Sequence, residues 1–139
     1  MLETIVKTRI MIHISSNRIL SESQFGFRES LNTETAVITL VNLIENAIEN
    51  NLVAIGLFLD IRRAFDTVNH RILLDVLHNT GFRGIVYDWF VSYLASRKQI
   101  VFFENFVSDE EDIYSGVPQG PNLGPLLFLL YINNIYKLP

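Results

Sequence analysis

The sequence predicts an α+β fold, and three observations carry that prediction. Five stretches have helical character, the clearest of them Thr33 to Asn50. One short, nearly continuous apolar run, Leu52 to Leu59, has the length and the polar flanks of a strand buried on both faces. A second extended stretch, Gln99 to Val107, is followed by a turn at Asp109-Glu110-Glu111-Asp112 and a return at Ile113 to Val117, which makes a hairpin. The predicted order is helix, helix, strand, helix, helix, hairpin, helix. No boundary rich in Pro, Gly or Ser divides the chain into independent domains.

Each element follows from its residues. Leu2 to Ser15 is apolar at Leu2, Ile5, Val6, Ile10, Ile12 and Ile14, a loose helical pattern. Asn17 to Asn32 reads as loop, with Gly26 among several Ser and Asn residues. In Thr33 to Asn50, Ala36, Val37, Leu40, Val41, Leu43, Ile44, Ala47 and Ile48 follow the i, i+3, i+4, i+7 template, and Glu34, Glu45 and Glu49 take the polar side. Arg71 to His78 and Ile85 to Leu94 read as two helices separated by Thr80-Gly81 and Gly84. Pro118-Gln119-Gly120 is a turn. Leu123 to Tyr136 is apolar enough to require burial on most sides.

A chain of 139 residues is one small domain, long enough to bury roughly two-thirds of its unfolded surface. Its apolar content of 49% excludes a disordered chain. The formal charge of -4 means that no overall basic field marks a nucleic-acid binder. The lack of cysteine excludes disulfide scaffolds, zinc knuckles and thiol nucleophiles. Three histidines, His13, His70 and His78, argue against a His-based metal cage, and His70 and His78 read as surface or helix-end residues. The longest apolar stretch, Leu126 to Ile132, is far short of the ~20 residues that span a bilayer. Met1 to Ile19, interrupted by Glu3, Lys7, Arg9 and Arg18, lacks the apolar block of a signal peptide. The expectation is an intracellular chain, in cytoplasm or nucleus, with no membrane partner. The mean hydropathy of +0.26 is high for this length, which predicts exposed apolar surface and self-association.

Three segments are candidates for chemistry. Asp60 directly follows the apolar run, where a rigid strand end would fix its oxygens as a metal ligand, and Asp66 lies six residues on. On spacing alone, strand-end or helix capping is the favoured role for Asp60. Gly116 to Pro125 holds three glycines and three prolines just before an apolar helix, which suits close approach to a ligand, though the segment alone slightly favours a stiff loop that shapes the helix start. Gln24-Phe25-Gly26-Phe27-Arg28 sets an arginine beside two aromatics, which could grip a phosphate or base, but on its own the segment favours a loop anchor. The acidic run Asp109 to Asp112 reads as a solvated hairpin tip.

Together these segments are far more specific than any one of them. Phe58-Leu59-Asp60-Ile61-Arg62-Arg63-Ala64-Phe65-Asp66-Thr67-Val68-Asn69-His70 resembles motif A of reverse transcriptases, and most of all those of non-long-terminal-repeat, Jockey-like retrotransposons. Gly116 to Asn133 resembles motif B of the same enzymes, and Gln24 to Arg28 resembles a motif of their fingers. Trp89-Phe90, Ser92-Tyr93-Leu94, Arg97 and Gln99 fit the linking helix and hairpin. The resemblance runs from about residue 5 to residue 139, in the family's order and spacing.

The resemblance implies a partial right-hand polymerase fold, with fingers elements over about 1–51, an incomplete palm over about 52–139, and no thumb. It implies an RNA-directed DNA polymerase, a nucleotidyltransferase of a mobile element, that takes an RNA template, a DNA primer and deoxynucleoside triphosphates. It implies two Mg²⁺ ions. Carried over by position, Asp60 is a metal ligand and Ile61 offers its backbone carbonyl. Phe65 is the steric gate against the sugar 2′ position. Gln119 and Gly120 line the nascent base-pair pocket, and Arg28, Arg62 and Arg63 meet phosphates. The sequence departs from the family at Pro121 and Asn122, where a serine and an apolar residue are usual. It also holds no Asp-Asp pair of the motif C kind. The expectation is therefore a chain truncated before motif C and inactive alone. The competing readings are a non-catalytic nucleic-acid-binding module and a protein-interaction relic.

Overall fold

The computed structural model describes residues 2–95, 97–118, 120 and 122–135. Its centre is a helix of ten residues, Leu123–Ile132, whose sequence is apolar all round. Such a helix is stable only when covered on every side, and Leu123, Gly124 and all of 126–130 are buried. Four helices precede it: α1 (Leu2–Ser16), α2 (Thr33–Glu49), α3 (His70–Asn79) and α4 (Ile85–Leu94), which makes the central one α5. α3 packs on α5 and α4 through Leu73 and Leu77. α4 contributes Phe90 and Leu94, and α1 lays Ile10 and Ile14, one turn apart, against the same core.

Caps fix where these helices begin and end. The Asn69 side chain accepts from the Ile72 N–H at 3.1 Å and starts α3. Asn32 and Thr35 form a reciprocal capping box on α2. At the far end of α5, buried Asn133 accepts from the Ser21 N–H at 2.9 Å and donates to the Ile19 carbonyl at 2.8 Å. That pair ties the loop after α1 to the core. α5 ends at Ile132, short of the expected Tyr136, which lies outside the described residues. Among the described residues, no helix is long and apolar enough to cross a membrane.

The structure corrects two expectations. Leu52 to Leu59 is not a buried strand: the segment is irregular and wholly exposed, Val53 by 87% and Ile55 by 91%. A strand needs a ladder partner, and the four strands among the described residues pair only with one another. Apolar composition therefore leaves this segment without a fold of its own. The hairpin exists, but its tip is Glu104-Asn105, with Phe102 opposite Val107 and Phe103 opposite Phe106. These strands are β2 (Phe102–Phe103) and β3 (Phe106–Val107). Outside them, β1 (Lys98–Gln99) pairs with β4 (Glu111–Asp112). Asp109 to Asp112 thus runs along the returning arm, where Glu110 meets Lys98 at 2.9 Å. Four crowded carboxylates repel in a tight turn, while aromatic and β-branched cross-strand pairs stabilise the arms on either side of Glu104-Asn105.

One junction joins the two halves of the body. The Gly116 N–H donates to the Val68 carbonyl at 2.8 Å, and the Val117 N–H donates to the Phe65 carbonyl at 2.9 Å. The Ser115 hydroxyl donates to the Asp66 carbonyl at 3.1 Å. The His70 ring Nε2 lies 2.7 Å from the Gly116 carbonyl. Gly116 has φ +92°, and a Cβ there would lie 3.0 Å from the Asp66 carbonyl oxygen and 3.1 Å from its Cα. Only glycine lets the two backbones come this close.

Two outcomes follow from this packing. Gly116→Ala combines positive-φ strain with a backbone clash and should lower unfolding free energy by at least about 2 kcal/mol, read as the denaturant midpoint at unchanged m-value; an unaltered midpoint would refute the junction. Limited proteolysis should cut first within 51–63, before any site in α3 or α5. First cuts inside those helices would show that the exposed segment is covered in solution.

Candidate functional site

Phe65 brings together the three segments that the sequence singles out. It is half-buried, its ring centroid 4.8 Å from that of Phe128 in α5 and 6.0 Å, edge-on, from that of Phe27. The ring is thus held between the 24–28 loop and the motif B helix, a place fixed by the hydrogen bond from Val117 to its own carbonyl. Sequence reading nominated Phe65 without foreseeing this aromatic junction. Phe27 and Phe128 are separated by a hundred residues, and no periodicity links them.

Beside this junction lies an open groove of about 600 Å³. Arg63, Asp66, Arg97, Gln99, Asp112, Ser115 and Gly116 line it, from the 63–66 turn, the base of the hairpin and the glycine junction. Arg63 has φ +51°, and its carbonyl accepts from the Asp66 and Thr67 N–H groups at 2.9 and 3.1 Å, which closes the turn that carries its side chain to the groove. Arg97 stands 5.3 Å over the Tyr93 ring, a cation–π contact that fixes its direction. Tyr93 in turn stacks on Trp89 at 4.9 Å and donates its hydroxyl proton to Glu3 at 3.1 Å. Burial, reinforced by the Glu3 carboxylate, pushes the Tyr93 phenol above its ordinary pKa, so it stays a neutral donor. Sequence reading matched Tyr93 and Arg97 only as linking residues and missed this support.

The other nominated residues are not gathered here. Asp60, Ile61 and Arg62 are exposed on the irregular segment, so Asp60 does not end a rigid strand. Gly120 is half-buried, and a Cβ there would meet nothing within 4 Å. Gln119 and Pro121 lie outside the described residues. Asn122 stands at the start of α5 without a side-chain capping bond. Arg28 anchors its own loop, the reading its segment favours by itself: its Nη1 donates to the Ser21 carbonyl at 2.8 Å and the Gln24 carbonyl at 3.2 Å. His70 is a half-buried helix-start residue engaged at the glycine junction, more than the surface role first expected.

Magnesium binding needs several oxygen ligands on one centre. Among the described residues, no group of three or more His, Cys, Asp or Glu is placed to hold a metal ion, the acidic run Asp109 to Asp112 included. The described residues therefore do not by themselves fit the metal centre that the motifs imply.

The whole arrangement has clear relatives. Residues 1–138 match the model of a protein family described as reverse transcriptase (RNA-dependent DNA polymerase). The chain is 35% identical over 133 residues to a probable RNA-directed DNA polymerase from transposon X-element of Drosophila melanogaster. It is 33% identical over 129 residues to the probable RNA-directed DNA polymerase from transposon BS of the same species. It is 32% identical over 134 residues to the RNA-directed DNA polymerase from mobile element jockey, also of that species. These matches cover 93% to 96% of this chain and 14% of each relative, so the chain spans about a seventh of their length. The mixed α+β content, the joined motif A and B segments and this similarity lead to one assignment: the chain belongs to the reverse transcriptase (RNA-dependent DNA polymerase) family.

Proposed function

We propose that this chain forms one wall of the polymerising groove of an RNA-directed DNA polymerase, against which an RNA template, a DNA primer and an incoming deoxynucleoside triphosphate lie. The carrying observation is the convergence of the 24–28, 60–70 and 116–128 segments on Phe65, next to a groove that presents Arg63 and Arg97. A ring wedged on one side by Phe128 has little freedom to turn away, which suits a steric gate against the sugar 2′ position. Arg63 and Arg97 supply phosphate contacts, with Gln99 and Ser115 as hydrogen-bonding neighbours. In this reading residues 1–51 are fingers elements and 52–139 are palm, Gln119 and Gly120 face the nascent base pair, and Arg62 is a further phosphate contact.

Asp60 is the one carboxylate that the family pattern assigns to metal, with Ile61 beside it through its backbone carbonyl. Both stand on an exposed segment away from any acidic cluster. In this reading the chain's own contribution is binding and positioning.

Two measurements test this. In fluorescence anisotropy with an RNA–DNA hybrid, Arg63→Ala and Arg97→Ala should each weaken binding and shrink the salt slope by about 0.7 to 0.9 per lost contact; an unchanged slope in both would remove the groove as the binding surface. In primer extension on an RNA template with Mg²⁺, the purified chain should incorporate no nucleotide. Incorporation that disappears in Asp60→Ala would show that these residues complete a working metal site.

A further inference from the structure

Arg97 enters the groove from beyond the end of α4, on backbone that leads into β1. α4 ends at Leu94, and Ala95 has already turned extended. The backbone there does not by itself decide where so long a side chain points. An arginine at such a junction loses much rotamer freedom when it grips a phosphate, unless a neighbour has oriented it beforehand.

That neighbour is Tyr93. Trp89 and Tyr93 are four residues apart on α4, so their rings share one face and stack at 4.9 Å and 20°. The central guanidinium carbon of Arg97 stands 5.3 Å from the centre of the Tyr93 ring. The hydroxyl end of the ring is tied to α1, ninety residues away in sequence, by donation to Glu3 Oε1 at 3.1 Å. Both Glu3 and Tyr93 are half-buried, which shields the bond from water. Burial also holds the phenol above its ordinary pKa, so the proton stays on it to be donated. A phenol that donates to a carboxylate is polarised, and a more electron-rich ring attracts a cation more strongly. A carboxylate in the first turn of α1 also suits the helix dipole, so the charge of Glu3 does not define its role. The bond to Tyr93 does.

We propose that Glu3 and Tyr93 are positioning residues for Arg97. Glu3 fixes the Tyr93 ring, and the ring holds the guanidinium toward the groove, pre-oriented for a backbone phosphate of the nucleic acid. Neither residue lines the groove itself. This role rests on the reading of the groove as the nucleic-acid surface, and it gives α1 a part in a site to which it contributes no lining residue.

Fluorescence anisotropy of the full chain with an RNA–DNA hybrid tests this as a double-mutant cycle. Tyr93→Leu removes the ring and should weaken binding at least about threefold in the parent, with no further loss in the Arg97→Ala background. Tyr93→Phe keeps the ring and should bind more tightly than Tyr93→Leu. Glu3→Gln and Glu3→Ala change the charge equally, but only glutamine keeps an acceptor for the phenol. Glu3→Ala should therefore bind at least about twofold more weakly than Glu3→Gln, a gap that closes in the Arg97→Ala background. Damage to folding lowers binding in both backgrounds alike, so a deficit that survives in Arg97→Ala overturns the positioning role. Equal binding of Tyr93→Leu and the parent, or of Glu3→Ala and Glu3→Gln, overturns it as well. If Arg97→Ala alone binds like the parent, the groove reading itself fails, and the positioning role with it.

Discussion

The close approach of Gly116 to the Phe65–Val68 backbone is the constraint on which the rest of the structure depends. Motif A leaves the exposed segment at Asp60 without a strand to hold it. What anchors its second half is the set of hydrogen bonds from Ser115, Gly116 and Val117 to residues 65–68. Those bonds need the carbonyls of 65, 66 and 68 to face a backbone with no Cβ in the way. They also aim the chain on both sides: Asn69 caps α3 just after the junction, and α5 starts a few residues past Val117. Each of the two core helices that bury Leu73, Leu77 and Leu126 to Leu130 is thus positioned from one glycine.

The groove draws its character from the same place. Of its arginines, Arg63 is carried on a left-handed turn whose carbonyl closes on residues 66 and 67, and Arg97 is held over a tyrosine ring that is itself stacked. A net charge of -4 says nothing about this, because binding to a polyanion depends on where cations are placed and how far they are pre-oriented. Arg28, set at a phosphate only by the resemblance, holds its own loop carbonyls through Nη1, while Arg97, read only as a linking residue, faces the groove.

The helices were legible because an apolar stripe needs only local spacing to be recognised. α4 has the bounds that the pattern predicts, and α1, α2 and α3 agree within one residue at each end. The hairpin was legible in kind but not in register: four carboxylates in a row look like a tip, yet the register followed the pairing of Phe103 with Phe106 across Glu104-Asn105. The strand at Leu52 to Leu59 failed for a different reason. A strand is a property of a pair, and the residues of one partner carry no information on whether another is present. Of the site, Phe65 and Arg63 were readable from motif position. The aromatic junction, the stack under Arg97 and the role of His70 were not, because each joins residues from distant parts of the chain.

The mean hydropathy of +0.26 can now be located. The body built on α1, α3, α4 and α5 buries its apolar residues well: Ile14, Leu73, Leu77, Phe90 and Leu127 are almost wholly inaccessible. The excess sits in α2, in the 52–59 segment and at the hairpin, where Phe102, Phe103 and Phe106 are 69% to 75% exposed. Randomly scattered apolar surface would imply only a poorly sorted sequence. Here it is patterned, at helical spacing in α2 and as a nearly continuous run in 52–59, and such patterning has no physical effect until another surface is laid against it. The core therefore stabilises the glycine junction and its groove, while α2 and the 52–59 segment carry their apolar residues outside it, exposed.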